Sequence, residues 1–231
     1  MVAYQGGKFR LAKRILQQIG WVGDRPYVEP FVGAGHVIQH ANAPRRIGAD
    51  INGYMIALLE ATRDGWEAPA VVTEEQYAAI KADPGAYDPA LVGFVGAACS
   101  FGGRWFKGYA RNPLKDYPGM GARSVAKQAP LLRCVEFTHC DYSDLSIPDG
   151  ALVYCDPPYA GAGQGYKGGK FDSAAFWCWA RRLVLSGHDV WVSEYTAPDD
   201  FRVVWEAQTV TTLPAANKAR TERLFRHVSQ V

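Results

Sequence analysis

Residues 151–161, ALVYCDPPYAG, join an apolar run to groups that could do chemistry. The run stops at Asp156, and two prolines and Tyr159 follow. Each proline fixes its own φ angle and restricts the residue before it, so the Asp156 carboxylate and the Pro157 carbonyl are held in a stiff, extended segment. A turn needs only one of these residue types. The combination therefore indicates a rigid pair of hydrogen-bond acceptors, with a strand-ending turn and a core Tyr159 as the alternative.

Three other predicted strands end in residues of similar character. Glu29 opens the segment EPFVGAG, Asp50 closes RRIGAD, and Asp141 closes VEFTHCD. In an open parallel sheet, ligands bind outside the carboxyl ends of the strands. We therefore expect these residues and Asp156 to share one site.

The segment EPFVGAG is a candidate nucleotide-binding turn. A dinucleotide fingerprint needs a third glycine three residues after Gly35, where Ile38 stands, so an NAD site is disfavoured. Asp50 lies 15 residues beyond Gly35, close to where a carboxylate accepts hydrogen bonds from two ribose hydroxyls. The GGK at residues 6–8 does not match a P-loop. This pattern favours an adenosine-containing ligand without a firm phosphate site.

Composition sets the class of protein. The 231 residues are 48% hydrophobic and 21% charged, which is typical of a globular α/β domain that carries at most a compact insertion. No apolar run approaches the roughly 20 residues that span a membrane, and the N-terminus has no apolar signal region, so a cytoplasmic protein is expected. The five cysteines include no C-x-x-C pair, which argues against a disulfide framework or a zinc knuckle.

A metal site is not predicted from the histidines either. His36 and His40 lie four residues apart, a spacing that can place two ligands on one helix face. The zinc motif H-E-x-x-H needs a glutamate where Val37 stands.

The order of elements predicts a parallel sheet covered by helices. A basic amphipathic helix over residues 8–19 precedes the strand of RPYVEPFVGAG, a helix beginning at HVIQHAN, the strand RRIGAD and a helix over residues 53–64. This β-α-β-α alternation resumes after residue 132 with the strands VEFTHCD and ALVYCD. A helix over residues 173–186, with Ser173 as N-cap and Gly187 as its stop, precedes three closing strands: DVWVSEY, FRVVWEAQTV and RLFRHVSQ.

Residues 65–132 differ in character and are predicted to form a small, mostly helical insertion. Thr73 and Gln76 have the spacing of a capping box. PALVGFVGAACS and GARSVAKQAPLL are predicted to be helical, and FGGRWFKGYARNP is predicted to be a hairpin or mobile loop. The segment between Phe101 and Cys134 contains seven Arg and Lys residues and a single acidic residue. This local net charge of +6 favours binding to a phosphate backbone.

Together, these motifs resemble the Dam-like (D12 class) adenine-specific DNA methyltransferases, especially their compact phage or prophage-borne members. The resemblance rests on YQGGKFRLAKRI, YVEPFVGAG, ADIN, CDY at 140–142, CDPPY, SFGGRWFKGYAR and the late TERLF, in this order along nearly the whole chain. It implies a Rossmann-like mixed sheet with helices on both faces. Residues 1–64 and 133–231 would form the catalytic domain and residues 65–132 the target-recognition domain.

The resemblance also implies that S-adenosylmethionine lies across the strand ends, without a metal. Asp50 would hold its ribose and Ile51 its adenine ring, which Asp141 and Tyr142 would contact from the other side. The alternative for Asp141 is the cap of a turn or helix. The remaining cofactor residues would be Tyr4, Gly7, Lys8, Glu29, Pro30, Phe31, Gly33, Gly35 and Asp156.

For such an enzyme, the motif Asp156, Pro157, Pro158, Tyr159 would be catalytic. The N6 amine of adenine is a poor nucleophile because its lone pair is delocalised into the ring. The Asp156 carboxylate and the Pro157 carbonyl can accept its hydrogens and direct a lone pair at the cofactor methyl. Pro158 has no N–H to compete for these acceptors, and Tyr159 offers a face for the flipped base. Asp in this motif favours adenine in DNA over the cytosine, glutamine or RNA substrates of related enzymes.

The basic part of the insertion would read double-stranded DNA, without an obligate protein partner. The residues expected to contact phosphates or base edges are Arg104, Trp105, Lys107, Tyr109, Arg111 and Asn112. Trp105, Phe106 or Tyr109 would fill the space of the flipped base, and the GYKGGK loop at residues 165–170 would close over the target base or back the phosphate. The alternative is a solvated basic loop whose aromatic rings cover a helical core. A catalytically silent DNA-binding regulator and an RNA methyltransferase are the alternative functions.

Overall fold

The computed structural model describes residue 2 and residues 4–20, 22–159, 171–210 and 219–231. Its centre is a seven-stranded sheet in the order β3-β2-β1-β4-β5-β7-β6. The strands are β1 (Tyr27–Glu29), β2 (Arg46–Asp50), β3 (Val135–His139), β4 (Leu152–Cys155), β5 (Asp189–Glu194), β6 (Phe201–Val210) and β7 (Ala219–His227). β1 to β5 run parallel, and β7 pairs antiparallel with both β5 and β6.

The period of two along each strand explains why helices cover both faces. Tyr27 and Tyr154 point into a core with residues of α1 (Ala12–Ile19) and α2 (Gly53–Arg63). Their neighbours Val28 and Val153 point into a second core with α6 (Ser173–Leu185). The mixed, Rossmann-like sheet with helices on both faces that the sequence predicted is thus confirmed.

Three further helices lie between α2 and β3: α3 (Glu74–Ala82), α4 (Pro89–Ala98) and α5 (Tyr117–Gln128). Each begins at a side-chain cap, which satisfies backbone N–H groups that a helix start leaves open. The predicted capping box of Thr73 and Gln76 starts α3, and Asp88 and Asp116 cap α4 and α5. The apolar side chains of these helices form a third core with Met55 and Leu58 of α2.

Two local predictions were wrong. The segment HVIQHAN forms only a 3₁₀ turn, Ile38–His40, because Pro44 keeps the backbone before it extended and β2 starts soon afterwards. The N-cap of α6 is Asp172 rather than Ser173: its side chain accepts a hydrogen bond from the Ala175 N–H at 2.9 Å. A carboxylate at this position also interacts favourably with the helix dipole, which gives Asp172 the advantage over serine.

Among the described residues, no helix combines the length and the apolar character that crossing a bilayer requires.

Candidate functional site

The carboxyl ends of four parallel neighbouring strands bring the predicted site residues to one edge of the sheet. Glu29 ends β1, Asp50 ends β2, Asp141 follows β3, and Asp156 directly follows β4. Because β3, β2, β1 and β4 are adjacent in the sheet, these acids line one continuous edge. This is the edge at which open α/β sheets bind ligands.

Directly after β1 in sequence, the chain forms the predicted glycine turn. Gly33 and Gly35 have φ angles of +51° and +68°, a region that L side chains rarely adopt. The Gly33 N–H donates to Oδ2 of Asp50 at 2.9 Å, and the Asn52 N–H donates to Oδ1 at 2.9 Å. These bonds fix the carboxylate of Asp50 at the end of β2. Burial raises its pKa, and the two N–H groups offset part of that effect.

The N-terminal segment lies against this turn. A Cβ atom on Gly33 would come within 3.2 Å of the Tyr4 ring, so the two are in close contact. A Cβ on Gly7 would overlap the His36 ring, whose Nε2 lies 3.0 Å from the Val2 carbonyl oxygen. Burial lowers the pKa of His36 to about 4, so its ring is neutral at physiological pH and braces the segment by packing.

Lys8 leads from this segment to the acid that ends β4. Its Nζ donates to Oδ1 of Asp156 at 2.7 Å and to the Gly6 carbonyl at 3.2 Å, and it lies 3.7 Å from Oε1 of Glu222. It also lies 4.7 Å from the centroid of the Tyr159 ring, within the range of a cation–π contact. We call Lys8, Asp156, Tyr159 and Glu222 the Lys8 cluster.

The Lys8 cluster holds two carboxylates and one ammonium in a nearly dry environment. The side chains of Lys8, Asp156 and Glu222 are only 7%, 19% and 8% exposed. Burial raises the pKa of Asp156, and Lys8 counteracts part of that rise. Burial alone would lower the pKa of Lys8, but the two carboxylates hold it above its usual value. The ammonium therefore stays charged, and Asp156 is more basic than a solvated carboxylate.

Two residues beside the Lys8 cluster complete its surroundings. The Tyr159 ring meets the Tyr195 ring nearly at right angles, with 4.5 Å between the centroids. Glu29 is 3% exposed and accepts a hydrogen bond from the Tyr27 hydroxyl at 2.8 Å. Burial raises the pKa of Glu29 well above its usual value; Tyr27 offsets part of this rise, and the charge of Asp156 adds to it.

Glu222 is a site residue that the sequence analysis missed, although TERLF was among the quoted motifs. The Tyr159 hydroxyl donates to Oε1 of Glu222. A sequence signal did exist: Glu222 lies two residues before Leu224, which faces the core, so a charged residue occupies a core-facing position.

Aromatic side chains pack against two further predicted cofactor residues, Phe31 and Tyr142. The Phe31 and Tyr142 rings lie 5.1 Å apart, and Phe171, Phe176 and Trp179 contact them. Two more predicted cofactor residues differ in burial. Pro30 is buried, whereas Ile51, next to Asp50 in the chain, is 45% exposed.

Asp141 lies in the place that the sequence predicted, with a local hydrogen-bonding partner. Its Oδ1 accepts from the Ser143 N–H and hydroxyl at 2.9 and 2.7 Å. These bonds make Asp141 the cap of a turn, as the alternative interpretation of this residue expected.

The six predicted DNA-contacting residues divide into two groups. The four polar residues are all exposed: Arg104, Lys107, Arg111 and Asn112. Arg111 forms a bidentate ion pair with Glu74, and the Asn112 Oδ1 accepts from the Leu114 N–H at 2.8 Å. The aromatic residues of this segment cover the helical core.

Three contacts establish this packing of the aromatic residues. Trp105 stacks on Tyr54 at 6.2 Å, Phe106 packs on Tyr77, and the Tyr109 hydroxyl donates to the Val72 carbonyl at 2.7 Å. The GYKGGK loop lies outside the described residues.

These groups suit S-adenosylmethionine. A fixed carboxylate at the end of β2 can accept from two ribose hydroxyls, and the exposed apolar surface of Ile51 beside it can cover an adenine ring. The acids at the ends of β1 and β4, where ionised, would attract a sulfonium cation. In the described part of the chain, no three His, Cys, Asp or Glu side chains are grouped as metal ligands.

Comparison with known proteins gives one match in sequence. Residues 4–82 match the family model of the D12 class N6 adenine-specific DNA methyltransferases. This range includes the N-terminal segment, the glycine turn and Asp50, and it ends before β4. No curated protein matches the chain.

Several solved structures align with most of the chain at low TM-scores. Escherichia coli yhhF, a proposed methyltransferase, is 10% identical with a TM-score of 0.42, and the match covers 94% of this chain and 86% of that chain. The proposed methylase HI0767 of Haemophilus influenzae is 11% identical with a TM-score of 0.41, covering 96% and 98%. SMU.472, a proposed methyltransferase complexed with SAH, is 12% identical with a TM-score of 0.40, covering 97% and 54%.

The resemblance found in the sequence motifs is confirmed over residues 4–82, and this match supports an S-adenosylmethionine-dependent methyltransferase.

Proposed function

We propose that the protein is a site-specific DNA methyltransferase that transfers the cofactor methyl group to N6 of a flipped-out adenine. The observation that carries this proposal is the placement of Asp156. It follows β4 beside the cofactor edge, held at 2.7 Å by Lys8 and followed by two prolines and Tyr159. The D12 class match supports adenine in DNA as the substrate.

Asp156 and Pro157 act on the amine. Bound S-adenosylmethionine supplies an electrophilic methyl group. The Asp156 carboxylate and the Pro157 carbonyl accept the two N6 hydrogens, which localises the nitrogen lone pair towards that methyl. Methyl transfer to N6 would break the methyl–sulfur bond of the cofactor and leave S-adenosylhomocysteine, and one N6 proton would pass to the Asp156 carboxylate. The raised pKa of Asp156 favours this proton transfer.

Lys8 and Tyr159 prepare this acceptor. Lys8 holds Oδ1 of Asp156, so the carboxylate is already oriented before the base arrives. Tyr159 is proposed to stack on the extruded adenine, which must leave the duplex to reach the strand ends.

Target recognition is proposed to lie in residues 65–132. The net charge of +6 between Phe101 and Cys134 supports a role in binding phosphates. Arg104 and Lys107 are exposed cations of its aromatic segment and are proposed to face DNA, whereas the exposed Arg111 is paired with Glu74. Trp105 and Tyr109 are proposed to support the segment through their packing on the helical core.

A labelling experiment tests the function. Duplex DNA of varied sequence is incubated with the protein and S-adenosylmethionine carrying a labelled methyl group, then digested to nucleosides. We expect labelled N6-methyladenine from the wild type and none from Asp156→Ala. Absence of product from the wild type on all DNA would reject the proposal. Preferential labelling of RNA in a parallel reaction would replace DNA by RNA as substrate.

A further inference from the structure

Glu222 has no role in the chemistry derived above, although it lies in contact with residues that do. It comes from β7, far in sequence from the other members of the Lys8 cluster and outside the range of the family match. It is 6% exposed, accepts the Tyr159 hydroxyl and lies 3.7 Å from the Lys8 ammonium. It therefore touches both of the groups that flank Asp156.

A glutamate in this position is costly for folding alone. Burial penalises its charge and raises the pKa of Glu222; the Lys8 charge offsets part of this rise, and the adjacent Asp156 charge adds to it. A buried carboxylate usually contributes less to stability than a well-packed apolar side chain of similar volume. Glutamine would accept the same tyrosine hydroxyl without the charge. The carboxylate is thus better explained by what it does to its neighbours.

On the basis of the proposed methyl transfer, we propose that Glu222 is a positioning residue, which fixes Tyr159 through its hydroxyl and shares Lys8 with Asp156. The first contact sets the plane of the ring against which the target base is placed. The second keeps the ammonium between two carboxylates instead of on Asp156 alone, so that Asp156 retains capacity to accept the N6 hydrogens.

Its replacement by glutamine would disturb both contacts while preserving shape. Lys8 would then pair with Asp156 only, which makes that carboxylate a poorer acceptor for the amine. The amide oxygen would bind the Tyr159 hydroxyl less tightly than a carboxylate does, because hydrogen bonds to ionised acceptors are the stronger ones. Both changes act on the reacting atoms, whereas the cofactor residues Asp50 and Gly33 keep their mutual hydrogen bond.

The kinetic test compares Glu222→Gln with Glu206→Gln. Glu206 lies on the adjacent strand β6, is 60% exposed and pairs with Arg223 at 3.4 Å, so it offers the same chemical change away from the cluster. We expect Glu222→Gln to lower kcat by about 10- to 100-fold while the cofactor Kd stays constant, because misplacement of reacting groups has effects of this size. Glu206→Gln should retain wild-type kcat, and Glu222→Asp should restore part of the loss. Wild-type kcat in a folded Glu222→Gln protein would overturn the proposal.

A second measurement does not depend on methyl transfer. Tyrosine labelled with ¹³C at Cζ gives one NMR signal per ring, and the Tyr159 signal is assigned by its disappearance in Tyr159→Phe. We expect this signal to shift in Glu222→Gln and to stay in place in Glu206→Gln. If the wild type methylates no adenine, the proposed function fails while this shift still supports the positioning by Glu222. An unchanged signal in Glu222→Gln would overturn that positioning.

Discussion

Lys8 is the residue on which the charge balance of the site depends. Its ammonium lies 2.7 Å from Asp156 and 3.7 Å from Glu222, and both carboxylates are mostly buried. Without it, two like charges would face each other with little solvent. Lys8 neutralises this repulsion, so it is expected to stabilise the fold as well as to serve the reaction.

The change Lys8→Met tests this dependence. We expect it to lower the free energy of unfolding by about 3–5 kcal/mol, the usual cost of leaving a buried charge without its partner. Urea unfolding near neutral pH measures the effect. Lys107→Met, at an exposed lysine, is the matched control and should change stability by less than about 0.5 kcal/mol. An equal loss in both variants would contradict the role assigned to Lys8.

Glu29 makes stability depend on pH. Burial raises its pKa in the folded protein, so the folded state binds a proton more tightly than the unfolded chain does. Its contribution is therefore most favourable below the ordinary glutamate pKa of about 4.5 and declines as pH rises through the raised value. Tyr27 and Asp156 are the titratable groups that act on it most directly.

Accordingly, Glu29→Gln should be more stable than the wild type above the raised pKa, and the advantage should shrink as pH falls. The amide keeps an acceptor for the Tyr27 hydroxyl, so only the charge is removed. Urea unfolding of both proteins across a pH series gives the difference. Glu136→Gln, at an exposed carboxylate paired with Arg45, is the control and should show no gain at high pH. An advantage that grows towards acid pH would reverse the assigned sign.

At the scale of elements, the glycine turn joins the sheet to the insertion. The Gln128 Nε2 of α5 donates to the Ala34 carbonyl at 2.8 Å, inside the turn. A Cβ on Gly35 would lie 3.1 Å from Leu59 of α2 and 3.3 Å from Gln128. Glycine is therefore required at position 35 for two reasons, its backbone angle and its contacts.

Gly35→Ala and Gly150→Ala separate these reasons. The two glycines have nearly equal φ angles, +68° and +65°, but a Cβ on Gly150 would meet open space. Both changes should cost about 1–2 kcal/mol for the left-handed backbone, and Gly35→Ala should cost more because of its contacts. Calorimetry should also show cofactor affinity falling by about tenfold or more in Gly35→Ala only, a change of about 1.4 kcal/mol. Equal effects on cofactor binding would contradict the role of the turn.

Local sequence patterns predicted the elements well where one physical cause dominates. The strand FRVVWEAQTV was predicted with its observed bounds, and the capping box at Thr73 was found from two residues. The capping of α6 was missed because Asp172 and Ser173 are both good caps, and residue type alone does not rank them by position. The turn at Ile38–His40 was missed because its length is set by Pro44 and the start of β2.

The site could be predicted in part for the same reason. Glu29, Asp50 and Asp156 end strands, and parallel strands bring their ends together without further information. The place of Glu222 in the site depends on the strand order β5-β7-β6. This order brings β7, an antiparallel strand from a distant part of the chain, beside the site. No local pattern contains that order, so its contact with Tyr159 required the structure.

At the scale of the whole molecule, charge is distributed unevenly although the net charge is only +2. The basic insertion segment contains Arg104 and Lys107, both exposed. Arg45 instead precedes β2, at the opposite edge of the sheet from the site, and pairs with Glu136 at 2.7 Å. The proposed DNA binding should therefore depend on the charges of Arg104 and Lys107 and not on that of Arg45.

The salt dependence of DNA affinity tests this asymmetry. Each phosphate contact releases counterions and adds about 0.9 to the slope of log affinity against log salt concentration. Arg104→Gln and Lys107→Gln should each weaken binding and reduce the slope by about that amount, because each removes one such contact. Arg45→Gln, which removes one positive charge elsewhere, should leave the slope unchanged. If all three variants reduce it equally, net charge rather than the insertion surface attracts the DNA, and the proposed recognition domain would be wrong.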